Sequence, residues 1–418
     1  MVTVQKIYSS IFLTCFFISI AAPIFPGATG GMMYHVLLIS LLPAVMLPWV
    51  LKMKMQFLLS FLLSIFIVLV MTCAALANED GVNIASFSSS LKIFYFGIYV
   101  LMGYAYVTCS NRSVELFYNT YFWLIMVCII VGLIELTVPS ISYLLYKRES
   151  MEILDDKLSS IFNTTYHLAF FLFFGYLYYL QAFVSSLQNS KGKLLPCFIM
   201  LMAIISVILL TQSRMFVMMA ALIAVFLFCV LMLKRINKPN VLLSLTVVVI
   251  VVCGTVIAFW DSFSAKFYYI VYGIDFLLSG QLDFSGDGIG SFNTRINQII
   301  FSIDQIHNNP FVGVGSGKDI YLESLYAYLL YKYAVPGLVF YFVALYFLVK
   351  KINSILRMRI SLKEDVFFKA SYWFFLLSPL YFLSGPLFEV PKLSLFFFVL
   401  IGMVYGYDKL EKSNGKND

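Results

Sequence analysis

The chain has 418 residues, of which 61% are hydrophobic and only 12% are charged. A soluble domain carries about 25% charged residues, so this chain cannot cover a water-facing surface of its size. The composition therefore indicates an integral membrane protein and excludes a soluble enzyme. The net charge of +7 is distributed over loops between apolar runs, so we expect no nucleic-acid partner.

The seven cysteines lie in or at the edge of apolar runs, and none belongs to a C-x-x-C pair. They are typical of buried small hydrophobic residues and not of disulfides or a metal site. The turn that contains Asp283 and Asp287 matches no strong metal pattern either. We therefore expect no metal and no cofactor.

Long apolar runs predict an all-α membrane protein with about twelve transmembrane helices, since a bilayer helix needs about 20 mostly apolar residues. The N-terminal run is interpreted as the first helix, with a cleaved signal peptide as the alternative. The predicted spans are 8–24, 34–51, 56–77, 91–109, 116–138, 163–187, 194–211, 214–233, 240–260, 322–349, 366–385 and 390–408.

The positive-inside rule orients these spans. With a cytoplasmic N-terminus, most of the 28 lysine and arginine residues fall in cytoplasmic segments. Both termini are then cytoplasmic, and 1–418 forms a single polytopic membrane domain. Segment 139–162 is a smaller periplasmic loop, and 261–321 is a large periplasmic loop. Long loops in a compact protein are usually functional.

The stretch "NPFVGVGSGKD", residues 309–319, resembles a nucleotide-binding loop at first sight. A Walker loop requires glycine, four residues, then Gly-Lys-Ser/Thr. Val312 stands where the first glycine belongs, and Asp319 replaces the hydroxyl residue. The stretch is also predicted to face away from the cytoplasmic ATP. We interpret it as a flexible hairpin whose glycines let backbone pass close to a glycan or pyrophosphate.

Arg214 lies in a tight outer turn between two predicted helices, beside Thr211, Gln212 and Ser213. It is either an interface arginine that reaches the headgroups or an anion ligand at the membrane rim.

The large loop contains an amphipathic helix, which we expect Asn293 or Thr294 to cap. Arg295 would then lie in its first turn, as a solvated charge or as a site residue. An apolar stripe at helical spacing is expected to lie on the membrane surface: Ile296, Ile299, Ile300, Ile303 and Ile306.

The chain re-enters the membrane after Glu323, which lies at the outer mouth of the next helix. Pro336 cannot donate to the carbonyl of Lys332, so a kink is expected there. One helical face carries four polar side chains, which favours a polar cavity: Ser324, Tyr328, Tyr331 and Lys332. The alternative is that Glu323 is simply near water and that a carboxylate pairs with Lys332.

The order of these features resembles the O-antigen polymerase (Wzy) and O-antigen ligase superfamily. That group shows an arginine, an apolar-periodic helix, Pro-Phe/Leu-x-Gly-x-Gly, a polar pair and a glycine-rich helical segment. The resemblance covers roughly 205–345, and the matching residues are Arg295, Pro310, Phe311, Gly313, Gly315, Glu323 with Ser324, and the segment from Lys332 to Leu338. The ligase-type His-Asn pair is Glu-Ser here, which favours the polymerase branch. Ala334-Val335-Pro336 departs from the usual glycine before the final Gly-Leu.

This resemblance implies a GT-C-like glycosyltransferase at the periplasmic face of the bacterial inner membrane. It would move a growing glycan from undecaprenyl pyrophosphate onto a lipid-linked repeat unit, metal-independently and with inversion. The expected partners are these lipid-linked donors and acceptors, membrane lipids and a chain-length regulator protein.

The resemblance also implies roles for individual residues. Arg214 and Arg295 would stabilise the pyrophosphate leaving group, and Glu323, at the position of the ligase histidine, would be the base. The other predicted substrate-binding residues are Arg148, Lys318, Ser324, Tyr328 and Lys332. Lesser candidates near the outer face are Glu135, His167 and Glu389.

Two rival interpretations remain from the sequence. One is a lipid-linked oligosaccharide flippase or another twelve-helix transporter, which would need charged residues deep in many helices. Here charge gathers at the outer rim, and the two halves show no clear symmetry. The other is a structural membrane protein of an export complex.

Overall fold

The structure of the chain is a computed structural model. It describes residues 2–22, 84–109, 113–138, 157–162, 164–189, 194–233, 264, 271, 290–307, 310–314, 322–358, 360–387 and 390–414. These residues are helical, apart from short turns and connections. The described helices are α1 (Val2–Ala21), α2 (Ile84–Cys109), α3 (Ser113–Thr137), α4 (Thr165–Asn189), α5 (Leu194–Leu210), α6 (Arg214–Leu233), α7 (Gly290–Ile306), α8 (Leu325–Leu356), α9 (Leu362–Leu376), α10 (Ser378–Tyr381) and α11 (Pro391–Asn414).

The predicted spans that fall on described residues coincide with these helices, except that 366–385 is divided between α9, α10 and the turn Phe382–Ser384. The spans predicted at 34–51, 56–77 and 240–260 lie outside the described residues. By length and composition, α3, α4 and α8 can each cross a membrane, and the bent pair formed by α9 with Ser378–Ser384 adds a fourth. The all-helical class is confirmed for the described part of the chain, whereas the number twelve and the GT-C fold stay predictions.

The chain divides into two compact units. The first comprises Met1–Leu124 and Gly286–Asp418, and the second comprises Ile125–Ser285.

Glycines allow α2 and α11 to pack closely in the first unit. A Cβ at Gly103 of α2 would overlap the Val399 carbonyl oxygen, and one at Gly402 of α11 would overlap that of Val100. Gly406 lies one turn beyond Gly402 and faces the Tyr104 carbonyl. Small residues at this i, i+4 spacing let membrane helices approach closely.

Helix α8 is connected to the last part of the chain by polar contacts. The Tyr326 hydroxyl donates to the Pro379 carbonyl at 2.6 Å, and Tyr341 shares a 2.9 Å hydrogen bond with Ser378. Lys392 is buried and donates to the Ala22 carbonyl at 2.8 Å, which joins the beginning of α11 to the end of α1. These bonds satisfy polar groups that apolar surroundings would otherwise leave at a cost.

Among the described helices of the second unit α4 is the most buried, and apolar and aromatic side chains occupy nearly all of its faces between Leu168 and Leu180. A helix that is apolar all round is typical of the interior of a membrane bundle. Helices α5 and α6 pack against it. The Tyr176 hydroxyl donates to the Ala220 carbonyl of α6 at 2.6 Å.

Candidate active site

Arg295 of α7 and Glu323 before α8 lie next to each other, although 28 positions separate them in sequence. The Arg295 Nε and the Glu323 Oε2 are 3.6 Å apart, and the two side chains are 24% and 34% exposed. That distance is within ion-pair range but is too long for a good hydrogen bond. The structure therefore brings together the predicted base and one of the two predicted pyrophosphate ligands.

Gln298 fixes the position of Glu323. The backbone N–H of Glu323 donates to the Gln298 Oε1 at 2.8 Å. Gln298 lies three residues after Arg295 on α7, so both side chains project from the same face of that helix. Buried Ser302 donates to the Gln298 carbonyl at 2.7 Å. Helix α7 thus holds both the arginine and the group that positions the carboxylate.

Two buried polar atoms belong to Arg295 itself and to Ser324, the residue after Glu323. The Arg295 Nε and the Ser324 Oγ make no hydrogen bond with any residue that the structure describes. Ser324 is fully buried and precedes α8, but its side chain does not cap the helix. Buried donors without acceptors are rare in folded proteins and are costly. Their presence beside a carboxylate is typical of a site that receives a polar ligand.

The predicted polar face of α8 is buried. Ser324, Tyr328, Tyr331 and Lys332 are all less than a tenth exposed. The Lys332 Nζ lies 4.4 Å from the centre of the Tyr328 ring, which is a cation–π contact. The Tyr331 ring stacks on Phe301 of α7, with ring centres 5.9 Å apart. This face therefore packs partly against the helix that carries Arg295.

Helix α7 differs from its sequence prediction in two respects. It begins at Gly290, so Arg295 lies in its second turn and the predicted cap at Asn293 or Thr294 is wrong. Asparagine and threonine disfavour a helix interior only weakly, so the helix extends through both. The apolar isoleucine stripe of α7 also does not face a single environment, because Ile306 and Ile299 pack with Leu330 of α8. Two other stripe residues remain exposed: Ile300 and Ile303.

The kink expected in α8 is present, but it lies at Ala334, which has φ 53° and ψ −155°. Such backbone is strained for a residue other than glycine. The break separates the Val335 N–H from its helical acceptor, the Tyr331 carbonyl. The Val335 N–H donates instead to the Pro310 carbonyl at 3.2 Å, and the Val314 N–H donates to the Tyr331 carbonyl at 2.8 Å. The loop from Pro310 to Val314 thus replaces the missing helical hydrogen bond with two others.

Gly313 makes this contact possible. Its φ is 72°, and a Cβ there would lie 2.7 Å from the Lys332 carbonyl oxygen and 2.8 Å from the Ala334 nitrogen. The sequence interpretation assigned the glycines of this stretch to close approach of a ligand. For Gly313 that interpretation is wrong, because its close approach is to the backbone of α8.

Arg214 is the first residue of α6, in the second unit. The turn before it contains Gln212 with φ 53°. Within the turn, the Thr211 Oγ1 donates to the Ile208 carbonyl and accepts from the Ser213 N–H. These bonds and the start of the helix fix the backbone at Arg214, as the predicted tight turn requires.

Lys157 lies beside Arg214 in the same unit. The N–H of the next residue, Leu158, donates to the Leu210 carbonyl at 3.0 Å, which places Lys157 against the turn that precedes α6. Burial, and secondarily the Arg214 charge, lower the pKa of Lys157 below its ordinary value. The influence of Arg214 on Lys157 indicates that two like charges lie near each other at this turn.

Glu135 anchors the Lys157 segment to α3. Its buried carboxylate accepts from the Ser159 N–H at 3.1 Å and from the Ser160 N–H at 2.6 Å. The Ser160 hydroxyl donates to the Cys128 carbonyl at 2.7 Å. Ser160 itself has φ 51°. These contacts explain the burial of Glu135 as a structural anchor for the loop.

Two predicted substrate-binding residues, Arg148 and Lys318, lie outside the described residues, as does Glu389. The sequence interpretation missed Lys157 and Gln298. Gln298 could have been found by its i, i+3 spacing from Arg295, but nothing in the sequence pairs Lys157 with Arg214. Among the described residues, His, Cys, Asp and Glu form no cluster of three or more that could hold a metal.

Residues 198–343 match a protein family described as O-antigen ligase. The matched range contains Arg214, Arg295, Glu323 and Lys332, and no curated protein matches the chain. Members of this family are glycosyltransferase-like enzymes of lipopolysaccharide biosynthesis that act on lipid-linked oligosaccharides in the membrane. The apolar helices and this family domain are those of a bacterial membrane protein. Over residues 198–343 the chain is therefore similar to the O-antigen polymerase and O-antigen ligase superfamily.

Proposed function

We propose that the protein is an O-antigen polymerase. It transfers a growing glycan from undecaprenyl pyrophosphate onto the non-reducing end of a lipid-linked repeat unit. The observation that carries the proposal is the Arg295–Glu323 pair inside the family domain, where the Arg295 Nε is buried without a hydrogen-bond acceptor in the described structure. A phosphate or glycan oxygen is the acceptor that such a group requires.

The reaction is a direct displacement. A hydroxyl oxygen of the acceptor sugar attacks C1 of the donor sugar, and the bond between C1 and the pyrophosphate oxygen breaks. The electron pair of that bond leaves with undecaprenyl pyrophosphate, and C1 is inverted. The hydroxyl proton passes to the Glu323 carboxylate as general base. Arg295 stabilises the charge that grows on the leaving group, and the lipid pyrophosphate supplies the activation.

The buried face of α8 supports substrate binding in this proposal. The buried Ser324 Oγ, one residue after the base in the sequence, provides a hydrogen-bond donor, and Lys332 provides positive charge that Tyr328 orients. Arg148 and Lys318 remain proposed substrate ligands on the strength of the sequence alone.

Arg214 and Lys157 of the second unit are proposed as a separate anion-binding pair. Guanidinium binds phosphate oxygens in a bidentate fashion, and the start of α6 adds the positive end of a helix dipole. A phosphate there would relieve the repulsion between the two cations.

The choice of polymerase over ligase rests on Glu323 and Ser324, which replace the ligase-type His-Asn pair. Ligase is the second candidate, because the matching family is described as O-antigen ligase. A ligase would transfer the finished glycan onto a lipid A–core acceptor instead. The flippase alternative loses support, since the matched family contains glycosyltransferase-like enzymes.

We further propose that the protein is a GT-C-type enzyme in the inner membrane. Both termini would be cytoplasmic, and the loops 139–162 and 261–321 and the active site would face the periplasm. A chain-length regulator would set the polymer length. The positive-inside distribution of basic residues supports this orientation.

The experiment that tests the function uses purified protein and lipid-linked repeat units, with and without lipid A–core. A polymerase makes a ladder of longer lipid-linked glycans without the core acceptor. A product that requires lipid A–core would instead identify a ligase, and no glycan transfer in either reaction would reject both. In cells, deletion of a polymerase leaves core with one repeat unit, whereas loss of a flippase leaves bare core.

Single substitutions test the assigned roles in the same assay. We expect Glu323→Gln to lower the rate about 10²–10⁴-fold, because it removes the base. We expect Arg295→Ala to lower it about 10²–10³-fold, and Arg295→Lys to recover only part of the loss. Arg357→Gln, at the far end of α8, is the control that keeps full activity. An unchanged ladder with Glu323→Gln would remove Glu323 as the base.

A further inference from the structure

A groove lies on the C-terminal half of α8 in the first unit, away from the Arg295–Glu323 pair. Its volume is about 570 Å³, which is within the range of sites that hold small molecules. Its lining residues are Phe340, Val343, Ala344, Phe347, Lys350, Lys351, Ser354 and Tyr405. All but Tyr405 of α11 follow one face of α8, at helical spacing.

The lining changes from apolar to basic along the helix. Phe340, Val343 and Phe347 are 70%, 46% and 54% exposed, so they form an open apolar wall. The next turn contributes Lys350 and Lys351, and none of the lining residues that the structure describes is acidic. Lysine stems can lie along such a wall while their ammonium groups reach toward polar headgroups.

Aromatic rings border the basic end. The Lys350 Nζ lies 5.8 Å from the centre of the Tyr346 ring, and the Lys351 Nζ lies 5.8 Å from that of Tyr405. Tyrosine and lysine together are typical of the level at which the hydrocarbon of a bilayer meets the headgroups. The end of the groove at Lys350 therefore suits a headgroup, and the end at Phe340 suits an acyl chain.

The length of the groove matches one leaflet. Phe340 and Lys350 are about 15 Å apart along the helix, at 1.5 Å per residue. The hydrocarbon core of a bilayer is about 30 Å thick, so each leaflet contributes about half of that. An acyl chain that lies along Phe340 to Phe347 would place its phosphate beside the two lysines.

We propose that this groove binds an anionic phospholipid. Its acyl chain would pack on Phe340, Val343, Ala344 and Phe347, and its phosphodiester would bind Lys350 and Lys351. The charge of the two lysines selects an anionic headgroup over a zwitterionic one. This site does not depend on the proposed polymerase activity.

The test uses the full chain purified in detergent and lipids with identical acyl chains. Native mass spectrometry measures the binding of phosphatidylglycerol and of phosphatidylcholine, and thermal unfolding reports the resulting stabilisation. We expect a preference for phosphatidylglycerol, which Lys350→Gln and Lys351→Gln should each reduce about fivefold. Arg357 lies at the exposed end of the same helix and does not line the groove. Arg357→Gln also removes one positive charge, and this variant should keep the wild-type preference for phosphatidylglycerol.

A second variant tests the apolar wall separately. Ala344→Trp fills the groove without a change in charge, and exposed Ala344 can accept the larger side chain without disturbing the core. We expect it to weaken the binding of both lipids. Equal affinity for the two headgroups in the wild type would overturn the proposal. A lysine variant that keeps the full preference for phosphatidylglycerol would also overturn it. Dimer formation that Ala344→Trp abolishes would overturn it as well, because a second copy of the chain would then occupy the groove.

Discussion

At the scale of the residue, Gln298 has more influence on the site than its chemistry suggests. Gln298 carries no charge. Among the described residues, its side chain forms no hydrogen bond with the side chain of Arg295 or of Glu323. Its Oε1 accepts from the Glu323 backbone, so it fixes the point from which the carboxylate extends. A base displaced by a fraction of a hydrogen-bond length loses much of its value in catalysis.

We therefore predict that Gln298→Met lowers kcat about tenfold and has little effect on KM, because it moves the proposed base Glu323 and leaves the proposed phosphate ligands in place. Gln298→Glu keeps an acceptor oxygen and should recover part of the rate. Gln305→Met makes the same change on an exposed position of α7 and is the matched control. If the loss of rate follows the loss of thermal midpoint in all three variants, Gln298 supports folding and does not position the carboxylate.

Lys157 gives a prediction about pH. Its pKa is lowered from the ordinary 10.5, first by burial and then by Arg214. Between the lowered pKa and 10.5 the native protein binds fewer protons than the unfolded chain, so the free energy of unfolding rises with pH in this window. Anion binding by the protonated amine falls over the same window.

We expect the polymerisation rate of the wild type to fall at alkaline pH, and Lys157→Arg to move that fall to higher pH, because a guanidinium stays charged. The measurement is a pH–rate profile of each protein at saturating substrate. Identical alkaline limbs for the two proteins would show that Lys157 does not bind the anion. Lys363→Arg, an exposed lysine paired with Glu115 in the first unit, is the control.

Individual residues of the site were predictable from the sequence to different degrees. Arg295 and Glu323 belong to an ordered motif, so their chemistry could be assigned before the structure. Their proximity could not, because it depends on how α7 packs on α8. Lys157 gave no signal in the sequence, because the backbone hydrogen bond from Leu158 to Leu210 that brings its segment to the turn before Arg214 does not depend on side-chain identity.

At the scale of the element, the break in α8 and the Pro310–Val314 loop form one structure. The strained Ala334 backbone persists because the loop supplies a donor and an acceptor at the break. Pro336 made a kink in α8 predictable, but a proline indicates only the approximate position of a kink along the helix. The helix breaks at Ala334, where the Pro310–Val314 loop supplies hydrogen-bonding partners. The spacing of residues within α8 alone does not indicate which residue this is.

We predict that Gly313→Ala destabilises this structure. The positive φ alone costs an alanine about 1–2 kcal/mol, and its Cβ would also overlap the Lys332 carbonyl oxygen. The expected result is a lower thermal midpoint and a lower polymerisation rate, since the same turn of α8 carries Lys332. Phe311→Ala, in the same loop and 74% exposed, should change neither. A wild-type midpoint for Gly313→Ala would contradict the described contact.

At the scale of the whole molecule, composition and apolar runs predicted a helical membrane protein, and the described residues are helical apart from short turns and connections. Gly402 and Gly406 of α11 form a small-residue pattern that is visible in the sequence. The helix that packs on them could not be predicted, because α2 lies almost 300 residues away and apolar periodicity does not specify which helices pair.

The α2–α11 contact predicts a graded response to side-chain size. A Cβ at Gly402 overlaps the Val100 carbonyl more closely than one at Gly406 approaches that of Tyr104. Gly402→Ala should therefore lower the thermal midpoint more than Gly406→Ala, and Gly402→Leu should prevent folding. Ala221→Leu, an enlargement at an exposed position of α6, should leave the midpoint unchanged. Equal midpoints for the two alanine variants would contradict the close approach.

The contact between α2 and α11 also affects the order in which the protein can assemble during synthesis. Helix α2 leaves the ribosome long before its partner, and at about 5–20 residues per second the interval is on the order of 15–60 s. Throughout that time Gly103 of α2 lacks the helix that packs against it. A nascent chain released before Pro391 keeps the Arg295–Glu323 pair in its sequence but lacks the helix that packs on α2, so the insertion machinery and membrane proteases would meet an incomplete bundle.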